Sequence, residues 1–594
     1  MNIKRNKVVL LEATSGFGKT IVSLTAIIPI ILKLGIKILY ICRTHREEDR
    51  VLEEYSLLGR TKNVKLIVVP LKGKHELCVN RDAYAHSKIN VETYCELLRL
   101  KGKCKYYSSR IKEKAHNLSL TIDAVEDLEQ FKKVCKEKGL CPYYTLRTIA
   151  TVADIILCSY SYLSSVEGLT TIAKTVKPYN YVLVLDEAHT LFDYLIPSVT
   201  YSITMRRLDL IRNLNRLAAY DSLIEPLISD FLNVIEHARE ASTYCELSLF
   251  KTRIKRIKPV LTKVTVDILN GEGSLCPDLY VLVKLFDKML DENVELLEVR
   301  ADNEDVSLKL LTFEYPLKAF SSLISSAYAS LLMSATLTQV KKMLIALLKQ
   351  HLSMDFAELS YTSFWQTHNK DSIRIIAVTN LSTAFNFRRA RVIRKIIDMI
   401  CEIVEATPYN VGVFAPSFEY LNLLLKYGLG KRLVDIGRPI YVENPRLSYL
   451  ESQILISSFK RKAKNKPSVL LAVQGGRFSE GEDFPGETMQ TAIILGVAYA
   501  KPTVLTQRRI QLFEKILPGE GVHFGYVVPA INRLLQTAGR VLRGFNVRKA
   551  IILVDSRFKN KMILGLLPSW FKAIIEYVRY EEGSLKKKLL PYLL

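Results

Sequence analysis

The sequence predicts an α/β protein built on parallel sheets and divided into several domains, and three observations carry that expectation. Its 594 residues exceed what one hydrophobic core usually supports, at roughly 150 residues per domain. Lys7-Val8-Val9-Leu10-Leu11 is a short apolar run of the kind buried on both faces of a parallel sheet, and a glycine turn leads from it into a helical stretch from Ile21 to about Leu34. Tyr181-Val182-Leu183-Val184-Leu185 is a second such run, ending in adjacent carboxylates.

Hydrophobic residues make up 49% of the chain and charged residues 24%, a globular balance that excludes a largely disordered protein. Eighty-four Lys and Arg against 60 Asp and Glu give a net charge of +24, which favours a polyanionic partner because each neutralised phosphate releases counterions. A membrane is not expected as that partner. The longest apolar stretch near the start, Ile21 to Leu32, is broken by Pro29 and ended by Lys33, short of the ~20 residues a bilayer span needs. Met1 to Lys7 is basic but lacks the apolar core and cleavage site of a secretory signal, so a cytoplasmic protein is expected. Of the 10 cysteines, Cys78, Cys95, Cys104, Cys135 and Cys141 fall together, which in a reducing compartment points to metal before disulfides. Cys42, Cys158 and Cys401 lie in or beside apolar runs and read as small core residues.

Ala13-Thr14-Ser15-Gly16-Phe17-Gly18-Lys19-Thr20, between strand and helix, has the context of a phosphate-binding loop. The glycines let backbone amides curl around phosphate oxygens at a helix N-terminus, so Ser15, Gly16, Phe17 and Gly18 are candidate nucleotide contacts. Lys19 would reach the β and γ phosphates of ATP, and the Thr20 hydroxyl would coordinate magnesium. Hydrolysis also needs carboxylates, and Asp186-Glu187-Ala188-His189 supplies two. Asp186 would hold the Mg2+ through water, while Glu187, pointing the opposite way along an extended chain, would polarise the attacking water. His189 would link nucleotide state to the rest of the molecule. Acidic residues at a helix start also fit simple capping, and the upstream loop is what favours catalysis.

From these motifs onward the chain resembles the XPD/DinG branch of superfamily-two helicases over most of its length. The resemblance rests on Leu39-Tyr40-Ile41-Cys42-Arg43-Thr44-His45, on Met333-Ser334-Ala335-Thr336-Leu337, and on Val411-Gly412-Val413-Phe414-Ala415-Pro416-Ser417. It rests most of all on Gln474-Gly475-Gly476-Arg477-Phe478-Ser479-Glu480-Gly481-Glu482-Asp483-Phe484-Pro485-Gly486, where Glu482 stands in place of the usual small or apolar residue. Gln536-Thr537-Ala538-Gly539-Arg540-Val541-Leu542-Arg543 closes the set, with two guanidinium groups three residues apart on one helical face. The resemblance implies two RecA-like motor domains, Gln536, Arg540 and Arg543 as catalytic residues whose arginines stabilise charge on the γ-phosphate, and Asp483 among the nucleotide-binding residues.

It also implies an iron–sulfur insertion and a mostly helical arch. The expected segments are 1–72, 151–200 and 320–345 for the first motor, 73–150 for the Fe–S domain, 201–319 for the arch and 346–594 for the second motor. Four thiolates suit a [4Fe-4S] cluster, and the resemblance assigns them to Cys78, Cys95, Cys104 and Cys141, leaving Cys135 spare. Zinc stays open as the alternative metal, although the irregular spacings are unlike paired zinc knuckles. Tyr106, Tyr107, Tyr143 and Tyr144 beside Lys103, Lys105 and Arg147 form an aromatic and basic set suited to a single strand at the edge where duplex would be split, although each tyrosine taken singly fits a core position equally well. In the arch, Leu282, Leu285, Phe286, Met289 and Leu290 have helical spacing. Lys586-Lys587-Lys588 reads as a solvated run.

The implied activity is ATP-driven 5′→3′ movement on single-stranded DNA with unwinding of forked or overhanging duplex by a monomer, with DNA repair as its setting and repair proteins among its partners. Polarity and DNA over RNA come from the resemblance alone. Only eleven residues precede Glu12, so the family's upstream adenine-recognition segment is not expected within this sequence: either the start codon is placed late, or this is a divergent paralogue with weaker base selectivity and weaker ATP use. Two other readings are an ATP-driven translocase with little unwinding, and a non-enzymatic repair adaptor, which intact Lys19, Glu187, Arg540 and Arg543 oppose.

Overall fold

The structure, a computed structural model, describes residues 7–13, 17–62, 66–80, 91–108, 110–119, 127–164, 166–194, 198–204, 229–230, 233, 243–270, 277–292, 294–302, 305–335, 337–351, 359–364, 372–480, 482–542 and 547–594. It falls into two compact units, one of Met1–Leu10, Lys19–Met333 and Leu347–Tyr361, the other of Leu11–Gly18, Ser334–Ala346 and Thr362–Leu594.

The chain opens with strands β1 (Lys7–Ala13), β2 (Lys37–Cys42), β3 (Val68–Pro70), β4 (Ile155–Ser159) and β5 (Tyr181–Leu185). An excursion follows, with β6 (Ser198–Thr204), β7 (Thr243–Glu246), β8 (Leu296–Asp302) and β9 (Asp305–Leu311), before β10 (Ala329–Ser334) and β11 (Leu359–Phe364). The first large sheet has the order β11-β1-β10-β5-β2-β4-β3. Its central pairs are parallel, with Leu39 of β2 level with Leu183 of β5 on one side and Ile156 of β4 on the other. Every residue of β4 and β5 is buried, because helices cover both faces of a parallel sheet and leave no polar side.

The excursion carries helices, as the sequence led one to expect, and adds a sheet that the sequence did not announce. Helices Ser248–Asn270, Pro277–Met289 and Glu314–Ser325 are there, but β6, β9, β8 and β7 pair in that order as an antiparallel sheet. The apolar spacing at 282–289 does lie in a helix, and Leu290 follows its end. The strands escaped notice because charged residues such as Arg300, Asp302 and Asp305 sit within the β8–β9 pair and break the apolar signal.

The second large sheet is built from β12 (Ile373–Val378), β13 (Val411–Ala415), β14 (Ile440–Val442), β15 (Val469–Val473), β16 (Thr491–Leu495), β17 (Lys549–Val554) and β18 (Ile575–Val578). Their order is β14-β15-β13-β16-β17-β12-β18 and every adjacent pair is parallel. All loops leaving these strands at their carboxyl ends therefore emerge on one edge, where open α/β sheets bind ligands. In the first sheet that edge carries the ends of β1, β2, β5 and β10; in the second it carries residues 379–389, 416–417, 443–447, 474–480, 496–503 and 555–560. No helix among the described residues is long and apolar enough to cross a membrane.

Candidate nucleotide site and cysteine cluster

Beyond β1 the chain turns through Phe17 and Gly18, and Gly18 has φ +80°, a left-handed conformation that glycine adopts without strain. Helix Lys19–Leu34 starts immediately, placing Lys19 at its first position and a buried Thr20 behind it. Thr14, Ser15 and Gly16 lie outside the described residues. From the neighbouring strand end, Glu12 accepts a 2.6 Å hydrogen bond from the backbone N–H of Leu337, tying the start of this loop to the Ser334-to-Leu337 segment after β10. Thr336 is outside the described residues.

Asp186 sits at the end of β5, its backbone N–H bonded to the carbonyl of Ile41 and its own carbonyl accepting from the buried Tyr160 hydroxyl at 2.8 Å. Burial, then the adjacent Glu187 carboxylate, push the Asp186 carboxyl well above the usual range, while Lys19 pulls it back. The expectation of an extended chain at Glu187 is corrected: Glu187 has φ 49° and ψ 40°, and its N–H bonds to the Asp186 carboxylate at 2.9 Å. A non-glycine residue held left-handed is a strained position of the kind found at functional sites, and it separates the two carboxylates by a turn rather than by strand alternation. Glu187 reaches His189 Nδ1 at 3.3 Å.

The Arg43-Thr44-His45 turn is braced by a residue that the sequence reading passed over. Glu47 accepts from the backbone N–H groups of Arg43 at 2.8 Å and Thr44 at 3.2 Å, while Thr44 Oγ1 accepts from Glu47 N, a reciprocal cap on helix His45–Lys62. His45 then joins the buried Glu48, the buried Lys72 and, through Nε2 at 3.3 Å, Glu76.

In the second unit, Ser417 caps helix Phe418–Lys426 by accepting from Tyr420 N. Gln474 fixes the following loop by donating to the carbonyls of Leu495 at 2.9 Å and Gly496 at 3.2 Å. Asp483 pairs with Arg540 at 3.1 Å, and Phe484 N bonds to the Arg540 carbonyl. Gln536 and Arg540 lie on helix Val528–Val541; Arg543 and Gly481 lie outside the described residues. Glu482 is partly buried against Lys460 at 2.8 Å and Gln453 at 3.3 Å.

Two further residues escaped the sequence reading. Glu443, at the end of β14, gives one carboxylate oxygen to Val473 N at 3.1 Å and the other to Arg477 N at 2.8 Å, and Phe478 N adds a third bond. Gly476 is glycine because a Cβ there would stand 2.6 Å from both Glu443 oxygens. Lys549, buried on β17, donates to the carbonyls of Phe484 at 3.1 Å and Met489 at 3.4 Å.

The cysteine-rich segment draws the four assigned thiols into one neighbourhood. Cys78 feels Cys104; Cys95 feels Cys78 and Cys104; Cys141 feels Cys95 and Cys104. Burial raises the thiols of Cys78, Cys95 and Cys141, the last to about 12, and is partly offset by the backbone N–H groups of Asn80 on Cys78 and of Tyr144 and Tyr143 on Cys141, and by Lys74 near Cys78 and Cys95. That donor set fits a thiolate-bound metal, although among the described residues no three ligating groups stand at coordination distance. Cys135 lies beside Cys141 and Thr145, its thiol pushed by burial up to about 12. The neighbouring aromatic set is knit together: Arg147 stacks 3.5 Å from the Tyr143 ring centroid, Tyr143 and Tyr107 meet Tyr144 edge-on, and Arg99 lies over both Tyr107 and Tyr144. Tyr106 stands apart under Lys105. Lys103 is exposed. Arg99 carries no motif signal and was missed.

These placements match a known arrangement. The DEAD_2 family model matches residues 40–208, and the helicase C-terminal domain model matches residues 400–574. The chain belongs to the XPD/Rad3-like helicases of superfamily two. The chain is 23% identical over 624 residues to the ATP-dependent DNA helicase CHL1 of Candida glabrata, covering 91% of this chain and 72% of that one. It is 23% identical over 606 residues to the chl1 helicase of Aspergillus clavatus, covering 88% and 81%. Among solved structures, one titled XPD_Helicase aligns with a TM-score of 0.65 at 19% identity, covering 97% of this chain and 96% of that chain. The structure of S. tokodaii Xpd4 aligns with a TM-score of 0.56 at 18% identity, covering 96% of each. At such identities the structural likeness speaks for the fold, which is that of two RecA-like domains.

Proposed function

We propose that this family member is an ATP-dependent DNA helicase, as its relatives are named, with ATP and Mg2+ as its working cofactors. The carrying observation is that Asp186, buried at the carboxyl end of β5, lies within electrostatic reach of both its neighbour Glu187 and Lys19, the first residue of the helix that follows the glycine loop. In this reading Lys19 would neutralise the β and γ phosphates, and Thr20 and, through water, Asp186 would hold the magnesium. Glu187, oriented by its left-handed backbone and by His189, takes the proton of the attacking water. Arg540, held by Asp483, and Arg543 stabilise charge as the terminal phosphate leaves.

The finer assignments follow from the resemblance. Cys78, Cys95, Cys104 and Cys141 would hold an iron–sulfur cluster, whose bound form would staple a loop-rich segment. Tyr143, Arg147 and their neighbours would meet the strand where duplex opens, and the protein would travel 5′→3′ as a monomer in the cytoplasm, on forked or overhanging DNA and alongside repair proteins. DNA-stimulated phosphate release by the metal-loaded protein, beside Lys19→Ala and Glu187→Gln, tests the reading. Stimulation by single strands that vanishes in both variants supports it; hydrolysis that persists in both, or none in the native chain, defeats it.

A further inference from the structure

The loop leaving β12 places two phenylalanines in water. Phe385 and Phe387 are the first and last residues of a single 3-10 turn, with 76% and 54% of their surfaces exposed. Leaving a phenylalanine exposed forfeits about 1.5–3 kcal/mol relative to burying it, so a structure that holds two of them out calls for a reason. They are held on a rigid root. Thr383, two residues earlier, bonds through N and Oγ1 to one oxygen of the fully buried carboxylate of Asp555, each at 2.9 Å, and Arg557 donates to both oxygens of that carboxylate. Behind the turn, Arg388 lies 5.3 Å from the ring centroids of both Phe385 and Tyr420 and pairs with Glu419 at 2.7 Å.

Helix Ala390–Ala406 begins immediately afterwards, and Arg389, Arg391, Arg394 and Lys395 at its start are all exposed. Cations at a helix N-terminus oppose the macrodipole, which prefers them at the other end. The acids of the same helix are engaged elsewhere: Asp398 with Arg432, Glu402 with the backbone N–H groups of Gly583 and Lys586, and Glu405 with the Lys586 ammonium. Among the described residues no carboxylate pairs with the four exposed cations. Two presented rings followed by unneutralised cations, against the stabilising pattern for the helix itself, match what a single nucleic-acid strand requires: faces for bases and charges for phosphates.

We propose that Phe385 and Phe387, with Arg389, Arg391, Arg394 and Lys395, form a stacking platform for single-stranded nucleic acid on the second unit. The proposal rests on the motor reading for the identity of the partner, and its test does not require turnover. Fluorescence anisotropy of labelled oligothymidylate and of an abasic oligomer of equal length is measured on the nucleotide-free protein. Phe385→Ala/Phe387→Ala weakens oligothymidylate by about 5- to 100-fold per ring and leaves the abasic oligomer unaffected. Arg389→Gln/Arg391→Gln weakens both ligands and lowers the salt slope by about 0.7 per charge removed. All of these residues are exposed and the cations oppose the helix macrodipole, so no variant should melt below the native protein. If native protein binds the strand but shows no ATP hydrolysis, the motor reading fails while the platform stands. Oligothymidylate binding by the double phenylalanine variant indistinguishable from native overturns the platform. So does light scattering that shows a native dimer falling to monomer in that variant, which would make the face a contact between copies.

Discussion

Replacing Glu443 by alanine tests how the glycine loop of the second unit is held. The carboxylate receives the backbone N–H groups of Val473, Arg477 and Phe478. Each buried donor left without a partner costs about 1–3 kcal/mol, so three would cost about 3–9 kcal/mol if the site stayed dry. The vacated side-chain volume is polar on the loop side and admits water, which places the expected loss near the lower end, about 3 kcal/mol. Glu443→Gln keeps the volume and one acceptor but turns an amide donor toward an N–H, and should cost about 2 kcal/mol. Gly476→Ala strikes the same contact from the other side, because its Cβ would meet both carboxylate oxygens at 2.6 Å and Val473 Cγ2 at 2.8 Å. If the two residues act through one contact, the double variant loses less than the sum of the singles. Urea midpoints of the unfolding transition of the second unit read these changes, and DNA-stimulated phosphate release reads their consequence, since the loop runs on to Asp483 and its Arg540 partner. A Glu443→Ala protein that unfolds at the native midpoint, or strict additivity with Gly476→Ala, refutes the reasoning.

Gly496→Ala should be among the most damaging single changes in the second unit. Gly496 has φ +69° and a Cβ there would stand 1.9 Å from Thr383 Oγ1, forcing the threonine off Asp555; a loss of about 3 kcal/mol or more is expected in urea midpoints. Burial pushes the Lys549 ammonium from 10.5 down to about 7, so above that pH the unfolded chain binds a proton that the folded one has released, and stability rises with pH. The slope, at most about 1.4 kcal/mol per pH unit, should show in urea midpoints between about pH 7 and 8.5 and be absent in Lys549→Met. Above that window the buried tyrosines and thiols, whose values are raised, act in the opposite sense. For the cysteines, serine at 78, 95, 104 or 141 should each lower iron content measured by elemental analysis, whereas Cys135→Ser should retain it; equal loss from all five would break the assignment.

The parallel sheets were legible because their strands are buried on both faces and therefore read as continuous apolar runs, and because short loops place the conspicuous polar motifs at strand ends. Lys19, Asp186 and Gln474 announced themselves in this way. Glu443 did not: its partners are 30 and 34 residues distant in sequence, and the pairing exists only because β14 lies beside β15. Arg99 and Lys72 were hidden for the same reason, each completing a cluster whose other members come from distant segments. The backbone of Glu187 was misjudged on different grounds, since no residue type marks a left-handed turn at a glutamate, and the strand alternation that governs β5 stops at Asp186.

Glu482 shows how a departure from a family pattern can be explained by a neighbour that no local motif contains. A carboxylate where the resemblance anticipates a small or apolar side chain would carry a substantial desolvation cost if it stood alone in so enclosed a place. Lys460, from helix Tyr449–Arg461, meets it at 2.8 Å while its ammonium also lies 5.1 Å from the Phe484 ring centroid, and Gln453 bonds the second oxygen. The charge is therefore local and neutralised, and the adjacent Asp483 keeps its bond to Arg540. Lys460→Met alone should destabilise by leaving a carboxylate unpaired, whereas Lys460→Met with Glu482→Val should recover most of that loss, because an enclosed pair exchanged for apolar residues of similar size is close to neutral. Failure of the double change to recover stability would mean that Glu482 serves the loop in some other way than through Lys460.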